Sequence, residues 1–348
     1  MKLVRLLALF LVLASLFTLV ACVPEEEPTP EETTLADTTA EEETTPEEET
    51  TPEEETTAAP DPANDGKLRV IIASDLHYTT LETYYSVSTD KRMQHFVDTL
   101  LLEHQSSPID LLIIAGDISL DHLFKRGTWT AEGVSTTKTF MEKYATQIKA
   151  AGIPIFALAG NHEQFNNEQW KQFTGNDRYG AIAMEGNLFI MLDAFSVDLE
   201  PNYDDDPTYA NHDVDYIKQQ MEAHPECENV FLISHHFDYF NESLEFKQLI
   251  RSDSRIKGLF QGHSHLNDII DMGSPYGNKK IYQTGNFSQL GPNATKEQIT
   301  EYFWGFRELI ITPDHAATRY IIPKTDIILN GVVFIQTTRR ISKSATIY

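Results

Sequence analysis

Basic residues are scarce in this chain: 27 Lys and Arg stand against 53 Asp and Glu in 348 residues, a formal net charge of −26. That balance argues against nucleic-acid binding by a broad basic face. Cysteine is almost absent. Cys22 and Cys227 allow one disulfide at most, so the fold has to rest on a hydrophobic core, which a chain of this length can build. Long apolar runs are missing apart from Leu6 to Val20, which follows Lys2 and Arg5. That run is too short and wrongly flanked for a membrane-spanning helix. It reads as the apolar region of a secretory signal over residues 1–21.

Lysine and arginine are also wholly absent from residues 23–66, a segment with 17 Asp or Glu in which TTPEEE repeats with period six. Proline, threonine and like-charge repulsion keep such a segment from packing, so residues 22–66 read as an acidic tether. The preceding Leu19-Val20-Ala21-Cys22 resembles the lipobox of bacterial lipoproteins. The resemblance implies cleavage before Cys22, lipidation of its thiol, and a protein anchored to the outer, extracytoplasmic face of a bacterial cell membrane. Cys227, in HPECEN, then reads as a lone structural thiol.

What remains, residues 67–348, reads as one folded domain. Apolar, β-branched runs recur: LRVIIAS (68–74), DLLIIAG (110–116), PIFALAG (154–160), NLFIMLDA (187–194), NVFLISH (229–235), IKGLFQGH (256–263), KKIYQTG (279–285), FRELIIT (306–312) and ATRYIIP (317–323). Helical spacing marks HFVDTLLLEH (95–104), TKTFMEKYATQIKAAG (137–152) and VDYIKQQMEAH (214–224). Strand and helix alternate early and strands dominate later, the pattern of α/β layers with a later, more antiparallel sheet. Residues 324–348 read as the end of the sheet and a basic tail.

Five of the apolar runs end on chemistry-bearing residues. They deliver Asp75 and His77, Asp117, Asn161 with His162 and Glu163, His235 with His236, and His263 with His265. Ligands of open α/β sheets gather beyond the carboxyl ends of strands, and His nitrogen and carboxylate oxygen suit first-row divalent metals. On an extended segment alternate residues point the same way, so Asp75 and His77, and likewise His263 and His265, are expected to converge. Asp117 has two oxygens with which to bridge two cations. Gly116 and Gly160 are expected to let the backbone turn tightly at the strand ends.

Asp-x-His, Gly-Asp, Gly-Asn-His-Glu, His and Gly-His-x-His, in this order, resemble the calcineurin-like metallophosphoesterases. The resemblance implies a four-layer αββα sandwich with two central mixed sheets and a two-metal site at the sheet edges. It implies one metal held by Asp75, His77, Asp117 and His265, and a second held by Asp117, Asn161, His235 and His263. His162 would be the catalytic residue over the substrate, and Glu163 structural. The metals would be manganese, iron or zinc, and the reaction hydrolysis of a phosphate ester by a hydroxide bridging them. The family shows His-x-Pro where this chain has His235-His236-Phe237. Purple acid phosphatases place tyrosine where this chain has Leu120, which disfavours that ferric subclass.

The expected substrate is a small-molecule or envelope phosphodiester. Alternatives are a monoesterase or nucleotidase, whose usual second domain would need more chain after His265, and a surface-displayed binding protein without catalysis. Tyr78, Tyr84, Arg126 and Trp129 are candidate rim contacts, and Asp204, Asp205 and Asp206 read as a solvated loop. His95, His104, His122, His212, His224 and His315 read as packed or solvated histidines, and His236 as a possible substrate neighbour.

Overall fold

The computed structural model describes residues 66–79, 88–121, 135–163, 165–196, 208–288, 304–329, 332–336 and 338–348. All lie in one compact unit, Ala59–Tyr348. Among the described residues no helix is long and apolar enough to cross a membrane. The signal, the tether, Cys22, Tyr84, His122, Arg126, Trp129 and Asp204 to Asp206 lie outside them.

Two six-stranded mixed sheets form the centre. The first has parallel β1 (Leu68–Ala73), β2 (Leu111–Ala115) and β3 (Ile155–Leu158). On the other side of β1 it adds antiparallel β10 (Phe306–Thr312), β11 (His315–Ile322) and β14 (Arg340–Thr346), in the order β14-β11-β10-β1-β2-β3. The parallel strands of the second sheet are β5 (Asn187–Leu192), β6 (Asn229–Ser234), β7 (Ile256–Gln261) and β9 (Lys280–Gln283). Short antiparallel strands, β4 (Gly180–Met184) and β8 (Ile269–Asp271), close its edges. The order there is β4-β5-β6-β7-β9-β8. A separate hairpin pairs β12 (Thr325–Leu329) with β13 (Val332–Gln336).

The near-continuous apolar runs follow from burial on both faces. In β1, Val70 and Ile72 join Phe189, Phe231 and Phe260 of the second sheet in the core between the sheets. Ile71 and Ala73, pointing the other way, pack with helix residues Phe96, Val97 and Tyr144. In β6, Phe231 and Ile233 face the first sheet, while Val230 and Leu232 pack with Ile217 and Phe246. Three cores therefore separate four layers. Each fully buried Ile or Leu contributes about 1.5–3 kcal/mol.

The helices are α1 (Thr89–Ser106), α2 (residues 136–150), α3 (Asn167–Thr174), α4 (Val214–Ala223) and α5 (Leu244–Ser252). Helix α2 runs through Thr136–Phe140, a π-helical turn Met141–Ala145 and Thr146–Ala150. Polar side chains cap the helix starts: Ser88, Ser135, Asn166, Asp213 and Ser243 each accept from a backbone N–H three residues on.

Several sequence expectations need correction. The hydrophobic pattern does not predict α3, α5, β4 or β8. α3 and α5 are short and bury only Trp170 with Thr174 and Phe246 with Ile250, too few positions to reveal a period. The late strands do not build a sheet of their own: β10, β11 and β14 extend the first one. The last strand, β14, ends the first sheet by pairing along β11, as the reading of residues 324–348 expected.

Candidate metal centre

Three of the five strand ends deliver their residues through a left-handed backbone kink. Asp75, His77, Asp117, His263 and His265 all have positive φ, between 46° and 65°, and they are five of the eight non-glycine residues of that kind among the described ones. This corrects the expectation that Asp75-x-His77 and His263-x-His265 converge through extended alternation. Left-handed conformations disfavour L-residues, with Asp and His among the more tolerant. They persist where surrounding structure over-determines them.

That surrounding structure is visible. Asp75 N–H donates to Gly116 O at 3.1 Å and His77 N–H to Asp117 O at 3.0 Å, so the first two loops are zipped together. Arg92, buried on α1, donates to the carbonyls of Leu76, Phe287 at 2.7 Å and His77 at 3.0 Å. Glu163 accepts from the N–H groups of Asp117 at 3.0 Å, Ser119 at 2.8 Å and Gly160 at 2.8 Å. Its carboxylate thus ties the second strand end to the third, as the structural reading of Glu163 expected. Burial and the neighbouring Asp117 charge raise Glu163 to about 8.

Glycine at three of these ends is required for space; at Gly262 a Cβ would lie 2.6 Å from Ser74 Cβ. A Cβ on Gly116 would lie 2.4 Å from His235 Nδ1, and Gly116 also has φ +86°. Gly160 has no positive φ, contrary to expectation. A Cβ there would lie 2.1 Å from Asp117 Oδ1.

The side chains converge on two adjoining clusters. Asp75 Oδ2 is occupied by the Ser74 hydroxyl at 2.5 Å and His263 N–H at 3.0 Å. Its Oδ1 is buried and accepts no hydrogen bond, yet faces Nε2 of His265 at 3.3 Å and of His77 at 3.9 Å. Asp117 Oδ1 accepts His162 N–H at 3.1 Å. Its Oδ2 lies 3.3 Å from His77 Nε2, 3.2 Å from His235 Nε2 and 3.5 Å from His162 Nε2. One oxygen of Asp117, and not two as the sequence suggested, faces both clusters. His235 Nδ1 lies 2.8 Å from the Ala115 carbonyl, which turns Nε2 inward. Asn161 Oδ1 lies 3.1 Å from His235 Nε2 and 3.0 Å from His263 Nδ1.

Three groups place their ligand atoms within 4.8 Å of one another: Asp75, His77 and His265; His77, Asp117 and His162; Asp117, His235 and His263. The electrostatics fit a cationic guest. Burial would raise Asp117, but the charges of His162 and His235 hold it well below the usual carboxylate range. Burial would lower His235, but the charge and hydrogen bond of Asp117 push it up to about 9. An orphaned buried carboxylate oxygen and a set of inward His nitrogens suit divalent metals.

Other expectations divide. Tyr78 is a core residue: its hydroxyl donates to Asp90 at 3.2 Å and its ring packs on Tyr144. Leu120 is buried. Gly285-Asn286 is a site-edge turn, with Gly285 at φ 76° and the Asn286 amide donating to His265 O at 3.1 Å. His212 is buried and partnered by Glu242. His236 packs its ring 4.5 Å from that of His263. Arg92, Ser74 and Gln261 escape a reading of the sequence, because nothing local marks a residue that acts on a loop distant in the chain.

Residues 68–267 match the family profile of the calcineurin-like phosphoesterases. Over 96 residues the chain is 29% identical to one of the subunits of the nuclease SbcCD from Escherichia coli strain K12. The match covers 28% of this chain and 21% of that relative, so this chain spans about a fifth of the relative's length. Among solved structures, a dimetal phosphatase from Danio rerio superposes with a TM-score of 0.53 at 12% identity, over 80% of this chain and 98% of that one. The likeness is one of fold.

Proposed function

This chain belongs to the calcineurin-like phosphoesterase family, and on that footing we propose that it is a phosphodiesterase. The family makes it a metal-dependent phosphoester hydrolase of α/β sandwich fold. The observation that carries the two-metal hydrolase reading is Asp117 Oδ2, which serves two donor clusters at once, with His162 beside it.

The residues suited to one metal are Asp75, His77, Asp117 and His265. Those suited to the other are Asp117, Asn161, His235 and His263. When bound, a pair of cations supplies positive charge for phosphoryl oxygens and acidifies water. The protein's own part is positional. Asp117 is fixed through Oδ1, Asp75 through Oδ2 and His235 through Nδ1, so each presents one atom to the centre. His162 Nε2, on the more open side with its ring partly exposed, is the proton donor to the leaving alkoxide. Such a donor is worth about 10²–10⁴-fold in rate.

One feature supports diesters over monoesters: Leu120 occupies the position of the purple acid phosphatase tyrosine. The substrate class is a small-molecule or envelope phosphodiester, reached by a domain tethered through lipidated Cys22 on the outer face of the membrane. Replacing Cys22→Ser should release the protein to the medium; a variant that stays with the membrane would remove the anchor from this reading. The decisive experiment strips the protein of metal, restores manganese, and compares bis(p-nitrophenyl) phosphate with p-nitrophenyl phosphate. Faster diester hydrolysis is expected. Faster monoester hydrolysis would replace the reading with a phosphomonoesterase, and no bound metal would leave a binding protein.

A further inference from the structure

Behind the end of β6 lies a row of polar groups that metal chemistry does not use. His212 and Glu242 both have fully buried side chains, with His212 Nδ1 2.5 Å from Glu242 Oε1. His212 Nε2 lies 2.8 Å from Ser234 Oγ, and the Tyr209 hydroxyl donates to the same Glu242 oxygen. Burying an ionisable pair costs several kcal/mol of desolvation per ion, and apolar replacements of similar volume often serve stability as well or better. His212 is already flanked by Phe237 and Phe246, at ring distances of 4.5 and 5.4 Å. An apolar side chain would pack there, so stability alone does not account for the row.

It reaches two residues of one turn, His235-His236-Phe237-Asp238, and Gln261 holds the residue between them. Ser234 Oγ donates to the His236 carbonyl at 3.1 Å. Asp238 N–H donates to the Tyr209 hydroxyl at 3.0 Å. Phe237 N–H, which a proline would lack, donates to Gln261 Oε1 at 2.9 Å. Gln261 itself leads through Gly262 into His263, and Gly262 N–H donates to the His235 carbonyl at 3.0 Å. A proline at position 237 would fix this turn by its locked φ. Here hydrogen bonds hold three successive residues instead.

We propose that Tyr209, Glu242, His212 and Ser234 form a positioning device that stands in for the missing proline. It fixes the turn carrying His235 and His236 against His263, and so sets the affinity of the second metal position. None of the four reaches that position; they act through the turn. The inference rests on the two-metal reading of the site.

The test is a manganese titration of the metal-stripped, full-length protein, followed by electron paramagnetic resonance and thermal melting. Wild type is expected to take up two ions with an exchange-coupled spectrum. Glu242→Ala and the milder Ser234→Ala should weaken the second ion about 10- to 100-fold, the usual cost of losing a residue that orients a ligand. They should leave a single-ion spectrum at intermediate manganese. Glu242→Gln, which keeps an acceptor for Tyr209 and His212, should recover most of the loss. Ile217→Ala, in the same apolar layer but outside the row, should lower the melting temperature and keep both ions.

If Ser234→Ala and Glu242→Ala bind both ions as tightly as wild type, the positioning role is wrong. If Ile217→Ala loses the second ion equally, the row acts through stability alone and the proposal also fails. A wild-type protein that binds no pair overturns the two-metal reading and this inference with it, and that arm is read independently of the variants.

Discussion

Strand β1 carries two buried clusters of charge, and they obey different rules. Near its start, Arg69 donates to Glu308 at 2.6 Å and to Glu103 at 2.7 Å. Arg319 and Arg339 complete the pairs on Glu308 and Glu103. Cation meets anion throughout, and Arg69, Glu103, Glu308 and Arg319 keep ordinary negative φ. Just past its end, Asp75 has a positive φ and a buried oxygen that accepts no hydrogen bond. There the side-chain partners of the carboxylates are histidines and the Ser74 hydroxyl. The first cluster is complete as the chain folds it, and links β1, α1, β10 and β11. The second leaves a buried carboxylate oxygen without a hydrogen bond among inward histidine nitrogens, an arrangement suited to a divalent metal.

The sharpest way to break that contrast is Asp117→Asn. It removes the negative charge both donor clusters share and leaves an amide in place of the carboxylate, and turnover should fall to background with metal content below that of wild type. Elemental analysis and diester hydrolysis check both. His162→Ala comes next: turnover down about 10²–10⁴-fold, with metal content unchanged and the loss greatest for poor leaving groups. Full activity in that variant would remove its role as proton donor.

Glu308→Gln probes the other cluster. Breaking one partner of a buried pair costs about 3–5 kcal/mol, read by urea unfolding, with metal binding unaltered. Its pH dependence has a definite sign. Burial would raise Glu308, but Arg319 and Arg69 hold it below its ordinary 4.5. The charged form is favoured on folding, so its contribution is full above pH 4.5 and lost as the pH falls through the lowered value. The wild-type advantage over Glu308→Gln should shrink there.

The smallest effect is the metal's own. Manganese at about 100 times its dissociation constant should stabilise wild type by about 2.7 kcal/mol. Glu308→Gln should gain the same amount and Asp117→Asn far less. Equal stabilisation of both variants would mean that the ion binds outside this centre.

The candidate site is more legible in the sequence than the fold's periphery, for a local reason. Each ligand-type residue follows directly on an apolar run of a few residues, so the strand and its chemistry share one contiguous stretch. FALAGNHE carries both in eight letters. Edge strands and short helices lack that contrast. β4, GAIAM, is only partly buried, and α5 shows its start through Ser243 but buries two residues. The roles of Arg92 on the Asp75–His77 loop, Glu163 on two strand ends, and Glu242 behind β6 are illegible, since each joins segments far apart in the chain.

By itself, the sequence determined which residues end the central strands and that the layers are α/β, because burial on both faces forces near-continuous apolar runs. It determined the donor chemistry too, since only certain side chains bind divalent metals. The tertiary structure decided how those donors meet. Left-handed kinks at five residues, glycines at the closest approaches and single-oxygen presentation by Asp75 and Asp117 all depend on hydrogen bonds between loops. Some of those bonds join strand ends within the first sheet, and others, such as His263 N–H to Asp75 Oδ2, exist only once the two sheets are packed face to face.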